Sequence, residues 1–232
     1  MNRQIILDTE TTGLDVTRNH KIIEIGCIEL VDRKFTGNKF HQYLNPMREI
    51  DQGAISVHGI TNEFLKDKPL FCDIKNDLLD FISDSELIIH NAPFDIGFLE
   101  YEFKKANHKL DIIDICKIFD TLVFARKLHP GQKNSLDALC KRYGVDNSSR
   151  DFHGALLDAK ILADVYLLLT GGQTSFDLEK SEATKDVLVN KNNKGDAPVI
   201  KANEVELREH REFCEKINET SSGRCIWNIS KF

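Results

Sequence analysis

The sequence predicts an α/β fold in which helices flank a mixed β-sheet. Two observations predict it: short apolar runs of strand character, and longer segments of helical periodicity between them. A change of composition after about residue 180 predicts that this domain is followed by a tail. A chain of 232 residues with 41% hydrophobic content can bury a full core. We expect strands near 3–9, 22–32, 39–45, 86–90 and 117–120, and helices near 71–82, 94–106, 121–128, 135–143 and 155–170.

The first predicted strand carries two acidic residues, Asp8 and Glu10. Because side chains alternate between the two faces of a strand, both acids point to the same side. A carboxylate in an aliphatic strand is costly to bury unless it is paired or binds a metal. The motif alone is also compatible with an acid at a sheet edge, next to the turn that Gly13 closes.

A further acidic residue, Asp95, follows the predicted strand near 86–90. Pro93 suits the first turn of a helix, so Asp95 is expected in that first turn, just beyond the end of the strand. Open α/β sheets usually gather their functional residues at such strand ends. The alternative is an acid favoured only by the helix dipole.

A third segment contains His153 and Asp158, five residues apart. On one regular helix they would point roughly 140° apart, and could not share a site easily. We therefore expect a loop at His153 and Gly154, and a helix from about Ala155 to Thr170 that carries Asp158 near its start. A histidine considered alone is more often a surface residue than a catalytic one, so His153 gains its meaning only from the other segments.

Together these segments form an ordered set of D-x-E, N-x-x-F-D and H-x-x-x-x-D. This set resembles the DEDD exonuclease family in its histidine branch. The resemblance covers about residues 1–175 and implies a ribonuclease H-like architecture. Further stretches are similar to the family's proofreading members in bacterial replicative DNA polymerases: VHGIT (57–61), FLKDKP (64–69), FDIGFLEYEF (94–103), NSLDALCKRY (134–143) and LTGGQTS (169–175).

The resemblance implies hydrolysis of the 3′-terminal phosphodiester of DNA with release of nucleoside 5′-monophosphates. It also implies two divalent cations, and oxygen ligands favour Mg²⁺ or Mn²⁺. His153 is the predicted general base. The predicted metal ligands are Asp8, Glu10, Asp95 and Asp158.

The same resemblance implies a pocket for the terminal nucleotide. His58 is expected in the loop after the third strand, although a loop histidine can simply face water. Some relatives carry an acid five positions before this histidine, where this chain has Gly53, which puts one contact to the terminal sugar in doubt. The predicted substrate-binding residues are Asp8, Glu10, Thr11, His58 and Asp158.

The rest of the chain is predicted to be a tail with two parts. Residues 176–203 have the composition of a flexible linker, and residues 204–232 regain apolar residues among charges. In the family the corresponding tail binds the polymerase (alpha) subunit, so we expect 204–232 to be a docking element; a helix folding back on its own domain is the alternative. Gln173 to Leu178 is similar to peptides that engage the sliding clamp.

Charge and cysteine content limit the other functions. The net charge of −6 is not typical of an independent nucleic-acid-binding module, so a polymerase is expected to supply much of the grip on DNA. No C-x-x-C pair, signal peptide or long apolar span is present, which favours the cytoplasm and no membrane contact. Two alternatives stay open: an RNA-trimming 3′-to-5′ exonuclease and a non-catalytic polymerase stabiliser.

Overall fold

A computed structural model describes residues 2–109, 111–148, 152–171 and 202–220. Within them a five-stranded sheet has the order β3-β2-β1-β4-β5. The pairs β1–β2 and β2–β3 are antiparallel, whereas β1–β4 and β4–β5 are parallel, so the predicted mixed sheet is confirmed. The strands are β1 (Arg3–Thr11), β2 (Ile22–Val31), β3 (Lys34–Tyr43), β4 (Glu86–Ile89) and β5 (Lys117–Asp120).

All the helices predicted for the first 175 residues are present, with ends shifted by at most two residues. Among the described residues, three short α-helices and the 3₁₀ helix Val16–Arg18 were not predicted. The expected loop at His58 is wrong, because this residue ends a seven-residue helix that Gly59 caps at φ 70°. The helices are α1 (Gln52–His58), α2 (Asn62–Leu65), α3 (Phe71–Ile82), α4 (Ala92–Lys105), α5 (Ile112–Ile115), α6 (Thr121–Leu128), α7 (Leu136–Tyr143), α8 (Ala155–Gly171) and α9 (Glu204–Thr220).

The edge strand β3 begins at Lys34, five residues earlier than predicted. A tight turn precedes it, in which Asp32 and Arg33 both have positive φ, 48° and 64°. Two positive φ values match the twist that joins neighbouring antiparallel strands. Residues 34–39 are exposed, so this half of the strand carries no apolar alternation by which the sequence could indicate it.

The alternation of side chains in β1 separates two apolar cores. Ile5 and Leu7 pack with residues of α3 and α4 on one face of the sheet. Ile6 packs on the other face against α8, where Ala159, Leu162 and Tyr166 meet it. Asp8 and Glu10 continue the Ile6 row and therefore lie on the face that α8 covers.

The start of α8 rests directly on β2 at Gly26. A Cβ atom on this glycine would lie 2.3 Å from the Ala155 carbonyl carbon and 2.3 Å from the Leu156 nitrogen. Any side chain there would push the helix off the sheet. Gly26 therefore sets how closely the residues at the start of α8 approach β1, which pairs with β2 at Asp8.

The chain divides into two compact units, Met1–Asp177 and Leu178–Phe232. In the second unit α9 begins as predicted near residue 204, and a reciprocal pair of 2.9 Å hydrogen bonds between Asn203 and Glu206 caps it. Among the described residues no helix is long and apolar enough to cross a membrane. The predicted clamp peptide (173–178), most of the predicted linker (176–201) and the end of the tail (221–232) lie outside the described residues.

Replacing Gly26 by Ala is expected to lower the free energy of unfolding by about 1–3 kcal/mol, because the new methyl group collides with the α8 backbone. Gly97→Ala is the matched control: nothing lies within 4 Å of its Cβ position in the helix α4. It should stabilise the protein by roughly 0.5–1 kcal/mol. Urea denaturation measures both, and equal stability of the two variants would contradict this packing.

Candidate active site

All five residues of the predicted metal and catalytic set line one cleft. The cleft has a volume of about 630 Å³ and opens at the end of β1, between α4 and α8. The sequence could predict this convergence only in part, because the three segments are far apart in the chain. The five residues are Asp8, Glu10, Asp95, His153 and Asp158.

The pairing of β1 with β2 fixes the positions of the first two acids, which both lie on β1. Asp8 lies opposite Gly26 of β2, and Glu10 lies opposite Glu24, where the β1–β2 register then shifts by one residue. Both acids are partly buried. Because Gly26 has no side chain, the start of α8 approaches the sheet closely next to Asp8.

The start of α8 brings the third segment to these acids. His153 and Gly154 precede the helix, as predicted, and Asp158 lies in its first turns with only 3% of its surface exposed. His153 Nδ1 lies 3.4 Å from Asp158 Oδ2. One ligand atom each from Glu10, His153 and Asp158 can be chosen so that all three lie within 4.8 Å of one another.

Asp95 lies on the opposite side of the cleft, in the first turn of α4, as predicted. It is 3% exposed and accepts a 2.7 Å hydrogen bond from the Thr9 hydroxyl. Burial raises its pKa to about 7, although the bond from Thr9 acts in the opposite direction. Asp8 and Asp95 line the same cleft as the close group of Glu10, His153 and Asp158 without belonging to it.

The carboxylate of Asp120 fixes the start of α4. It accepts backbone N–H groups from Asn91 (3.3 Å) and Ala92 (3.1 Å) at that helix. The same side chain caps α6 through Leu122 (2.8 Å) and Val123 (3.1 Å). One acid thus ties two helix starts together, and our sequence analysis did not single it out.

A second cleft of about 500 Å³ adjoins the first and shares Glu10 and Phe94 with it. It contains the predicted substrate residues Thr11 and His58, together with Gly53. The Thr11 hydroxyl donates to the Gly13 carbonyl at 2.7 Å. A Cβ atom at Gly53 would meet nothing within 4 Å, so this position leaves the cleft wider than an acidic residue would.

His58 is 5% exposed, and its Nδ1 accepts the Ile60 N–H at 3.0 Å. Burial lowers its pKa, which favours the neutral ring with its proton on Nε2. That buried Nε2 makes no hydrogen bond of good geometry among the described residues, although the Thr11 backbone lies near enough to the ring to act against the lowering of its pKa. An N–H donor of this kind in a cleft suits an oxygen acceptor of a bound molecule.

Basic and polar residues also line the first cleft, and sequence reasoning missed them. Arg126 of α6 and Lys133 line the first cleft, and so does Asn134. Asn134 is 6% exposed, donates to the His129 and Gln132 carbonyls, and accepts from Arg142. The run of basic residues in ARKLHPGQK was the available signal, but only the fold shows that it lines the same cleft as the acids.

The donor atoms of the site fit a hard divalent cation. The carboxylate oxygens of Asp8, Glu10, Asp95 and Asp158 are ligands of the kind that hard divalent cations prefer. Cys27, across from Leu7 on β2, is fully buried, and burial raises its pKa, so it stays a protonated thiol and not a metal ligand. The close approach of Glu10, His153 and Asp158 supports a shared ion on that side of the cleft.

Fold and site together define a metal-dependent nuclease. A comparison of the sequence with known protein families gives the same class. The RNase_T family model, described as Exonuclease, matches residues 5–166. The solved structure of Exonuclease X in complex with 5′-overhanging duplex DNA superimposes with a TM-score of 0.57 at 27% identity, covering 72% of this chain and 91% of that chain.

Relatives that match nearly the full length of this chain identify its family within the nucleases. DNA polymerase III subunit epsilon of Haemophilus influenzae is 48% identical over 98% of this chain and 95% of its own length. The subunit of the same name from Rickettsia felis is 53% identical over 94% of this chain and 98% of its own length. The chain belongs to the exonuclease family and, within it, to the epsilon subunits of DNA polymerase III.

The pKa of Asp95 predicts how the metal-free protein responds to pH. Its folded value of about 7 exceeds the ordinary 3.8, so the unfolded chain loses this proton first and stability falls as pH rises between about 4 and 7. Asp95→Asn removes the buried charge and should stabilise the metal-free protein by a few kcal/mol at pH 8, with little effect at pH 4.

Thermal unfolding in EDTA at both pH values measures this difference. Asp77→Asn is the control, because Asp77 is an exposed acid on α3. A stabilisation by Asp95→Asn that is equal at pH 4 and pH 8 would contradict the raised pKa of Asp95 in the folded, metal-free protein.

Proposed function

We propose that this protein is the 3′-to-5′ exonuclease that proofreads for DNA polymerase III, and that it releases nucleoside 5′-monophosphates from a DNA 3′ end. The observation that carries the proposal is the convergence of four acids and His153 in one cleft of a chain that belongs to the epsilon subunits. Hydrolysis breaks the bond from the phosphorus to the 3′ oxygen of the preceding nucleotide. Water supplies the new oxygen, and the leaving 3′ oxygen takes a proton.

We assign the residues of the cleft to two cations, Mg²⁺ or Mn²⁺. Glu10 and Asp158 would hold the ion beside His153, and one carboxylate oxygen of each lies within the 4.8 Å group. Asp8 would be a ligand of both ions, and Asp95 would hold the second ion from α4. When bound, such ions lower the pKa of the attacking water and stabilise the leaving oxygen.

His153 is the general base in this proposal. Its side chain is 42% exposed, so water reaches it, and its Nδ1 faces Asp158 Oδ2 at 3.4 Å. With the proton on Nδ1, directed to that carboxylate, Nε2 is the atom that accepts a proton from the attacking water. Asp158 thereby orients the base as well as serving as a ligand.

The second cleft binds the terminal nucleotide. His58 Nε2 is a buried donor, and Thr11 lies on the same wall as Glu10. Apolar side chains such as Leu14 and Phe94 line this cleft and suit a base or sugar. Because the two clefts share Glu10, a nucleotide held here has its 5′ phosphate next to the acids.

The tail docks on partners of the replication machinery. In α9, Val205 and Phe213 are 51% and 62% exposed, and a helix with exposed apolar residues among charges suits a groove on a partner. We assign residues 204–232 to the polymerase alpha subunit, residues 176–203 to the linker, and Gln173 to Leu178 to the sliding clamp. Residues 1–175 form the exonuclease domain.

Removing a metal ligand is expected to abolish turnover, and removing the base to slow it. Asp8→Ala and Asp158→Ala should leave no measurable degradation of a 3′-mismatched primer, whereas His153→Ala should lower the rate by ~10²- to 10⁴-fold. Asp77→Ala, which removes an exposed acid of α3, is the control and should match the wild type. Small and equal losses for the three site variants would refute the assigned roles.

Matched DNA and RNA oligonucleotides, each with magnesium and with EDTA, complete this assay. Faster decay of DNA supports the proposal, and faster decay of RNA identifies an RNA-trimming enzyme. Product analysis must give 5′-mononucleotides released from the 3′ end.

Two truncations separate the functions of the tail. A chain ending at Gly172 should keep nuclease activity and lose both polymerase and clamp binding, while a chain ending at residue 203 should lose polymerase binding alone. Gel filtration with each purified partner measures this. Co-elution of the shorter chain with the polymerase would contradict the docking assignment, and the full-length variant Phe213→Glu checks that α9 itself makes the contact.

A further inference from the structure

A second buried acid lies beside the metal ligands without being one of them. Glu24 of β2 is 2% exposed and lies directly across from Glu10 on β1 and from Tyr43 on β3. All three side chains are on the sheet face that α8 covers. A carboxylate in such a place is costly unless its oxygens are hydrogen-bonded.

Both carboxylate oxygens of Glu24 have partners from other elements. Oε2 accepts the backbone N–H of Ala155 at 3.1 Å, and Oε1 lies 2.7 Å from His41 Nε2 on β3. Burial raises the pKa of Tyr43 to about 12, and the nearby charge of Glu24 acts in the same direction. The side chain thus connects β2, β3 and the start of α8.

Ala155 is the first residue of α8, where a backbone N–H has no partner inside the helix. Glu24 supplies that partner from the sheet, and Gly26 beside it lets the helix backbone touch β2. A negative charge at a helix start is also favoured by the helix dipole. The helix start therefore has one defined position on the sheet.

We propose that Glu24 is a positioning residue for the reaction, which holds His153 and Asp158 at the metal ligands of β1 by fixing the start of α8. The inference rests on the function proposed above. His153 is two residues before Ala155, and Asp158 is three residues after it. The His153 N–H has its own bond to the Val57 carbonyl at 3.1 Å, so Glu24 acts on the helix side of this segment.

The test compares three full-length variants by Mn²⁺ titration calorimetry without DNA, by kcat and KM on a primer, and by thermal unfolding. Glu24→Ala should weaken Mn²⁺ binding and lower kcat by about 10- to 100-fold, the scale of losing an outer support of a metal site, with KM for DNA nearly unchanged. Glu24→Gln should keep most of the Mn²⁺ affinity and most of kcat. Its amide oxygen can accept the Ala155 N–H, and its amide N–H₂ can donate to His41 Nε2 when the proton of that ring is on Nδ1.

Glu29→Ala is the matched control. Glu29 is a buried acid of the same strand, but its partners are Arg3, Thr36 and Asn38, away from α8. It should lower the unfolding temperature and leave kcat and Mn²⁺ affinity near those of the wild type. If Glu24→Ala does not fold, His41→Ala replaces it in the test. His41→Ala should also weaken Mn²⁺ binding, but less strongly, because it removes only one of the hydrogen-bond partners of the Glu24 carboxylate.

Equal losses in Glu24→Ala and Glu29→Ala, or wild-type Mn²⁺ affinity in Glu24→Ala, would overturn the positioning role. The proposed function fails separately, if the wild-type protein binds Mn²⁺ but degrades no DNA. In that case a selective loss of Mn²⁺ affinity in Glu24→Ala would still support the role of Glu24.

Discussion

The contact between the start of α8 and β2 is the constraint on which the site depends. Ala155 rests on Gly26, where no side chain fits, and the helix that follows carries Asp158. The neighbouring strand β1 presents Asp8 opposite that same glycine. A local backbone contact, and not the acids themselves, therefore brings two distant parts of the chain to one point.

Specific hydrogen bonds satisfy the acids near the start of α4. Asp95 accepts a hydrogen bond from the Thr9 hydroxyl, and Asp120 accepts one from the backbone N–H of Ala92, the first residue of α4. Burial raises the pKa of Asp95 to about 7, with a smaller contribution from the charge of Asp120, so the ionised form of this acid is costly in the metal-free protein. Divalent cations would stabilise such a cluster of carboxylates, and the basic side chains of Arg126 and Lys133 line the same cleft.

Local sequence patterns predicted those parts of the site that depend on local geometry. Strand alternation placed Asp8 and Glu10 on one face, and helix geometry separated His153 from the helix of Asp158. The sequence could not predict the seven-residue α1, because a segment so short has too few turns to show a helical period. Nor could it indicate the partner of Glu24, since the Ala155 N–H lies 131 residues away in the chain. The mixed sheet was predicted, but its exposed edge β3 was predicted too short.

Crystals of the chain soaked with Mn²⁺ and a nucleoside 5′-monophosphate would test the central claim most directly, by anomalous diffraction at the manganese edge. We predict two peaks roughly 4 Å apart in the first cleft. One should contact Glu10 and Asp158, and Asp8 should contact both. A single peak outside this cleft, or peaks that none of these carboxylates contacts, would contradict the account.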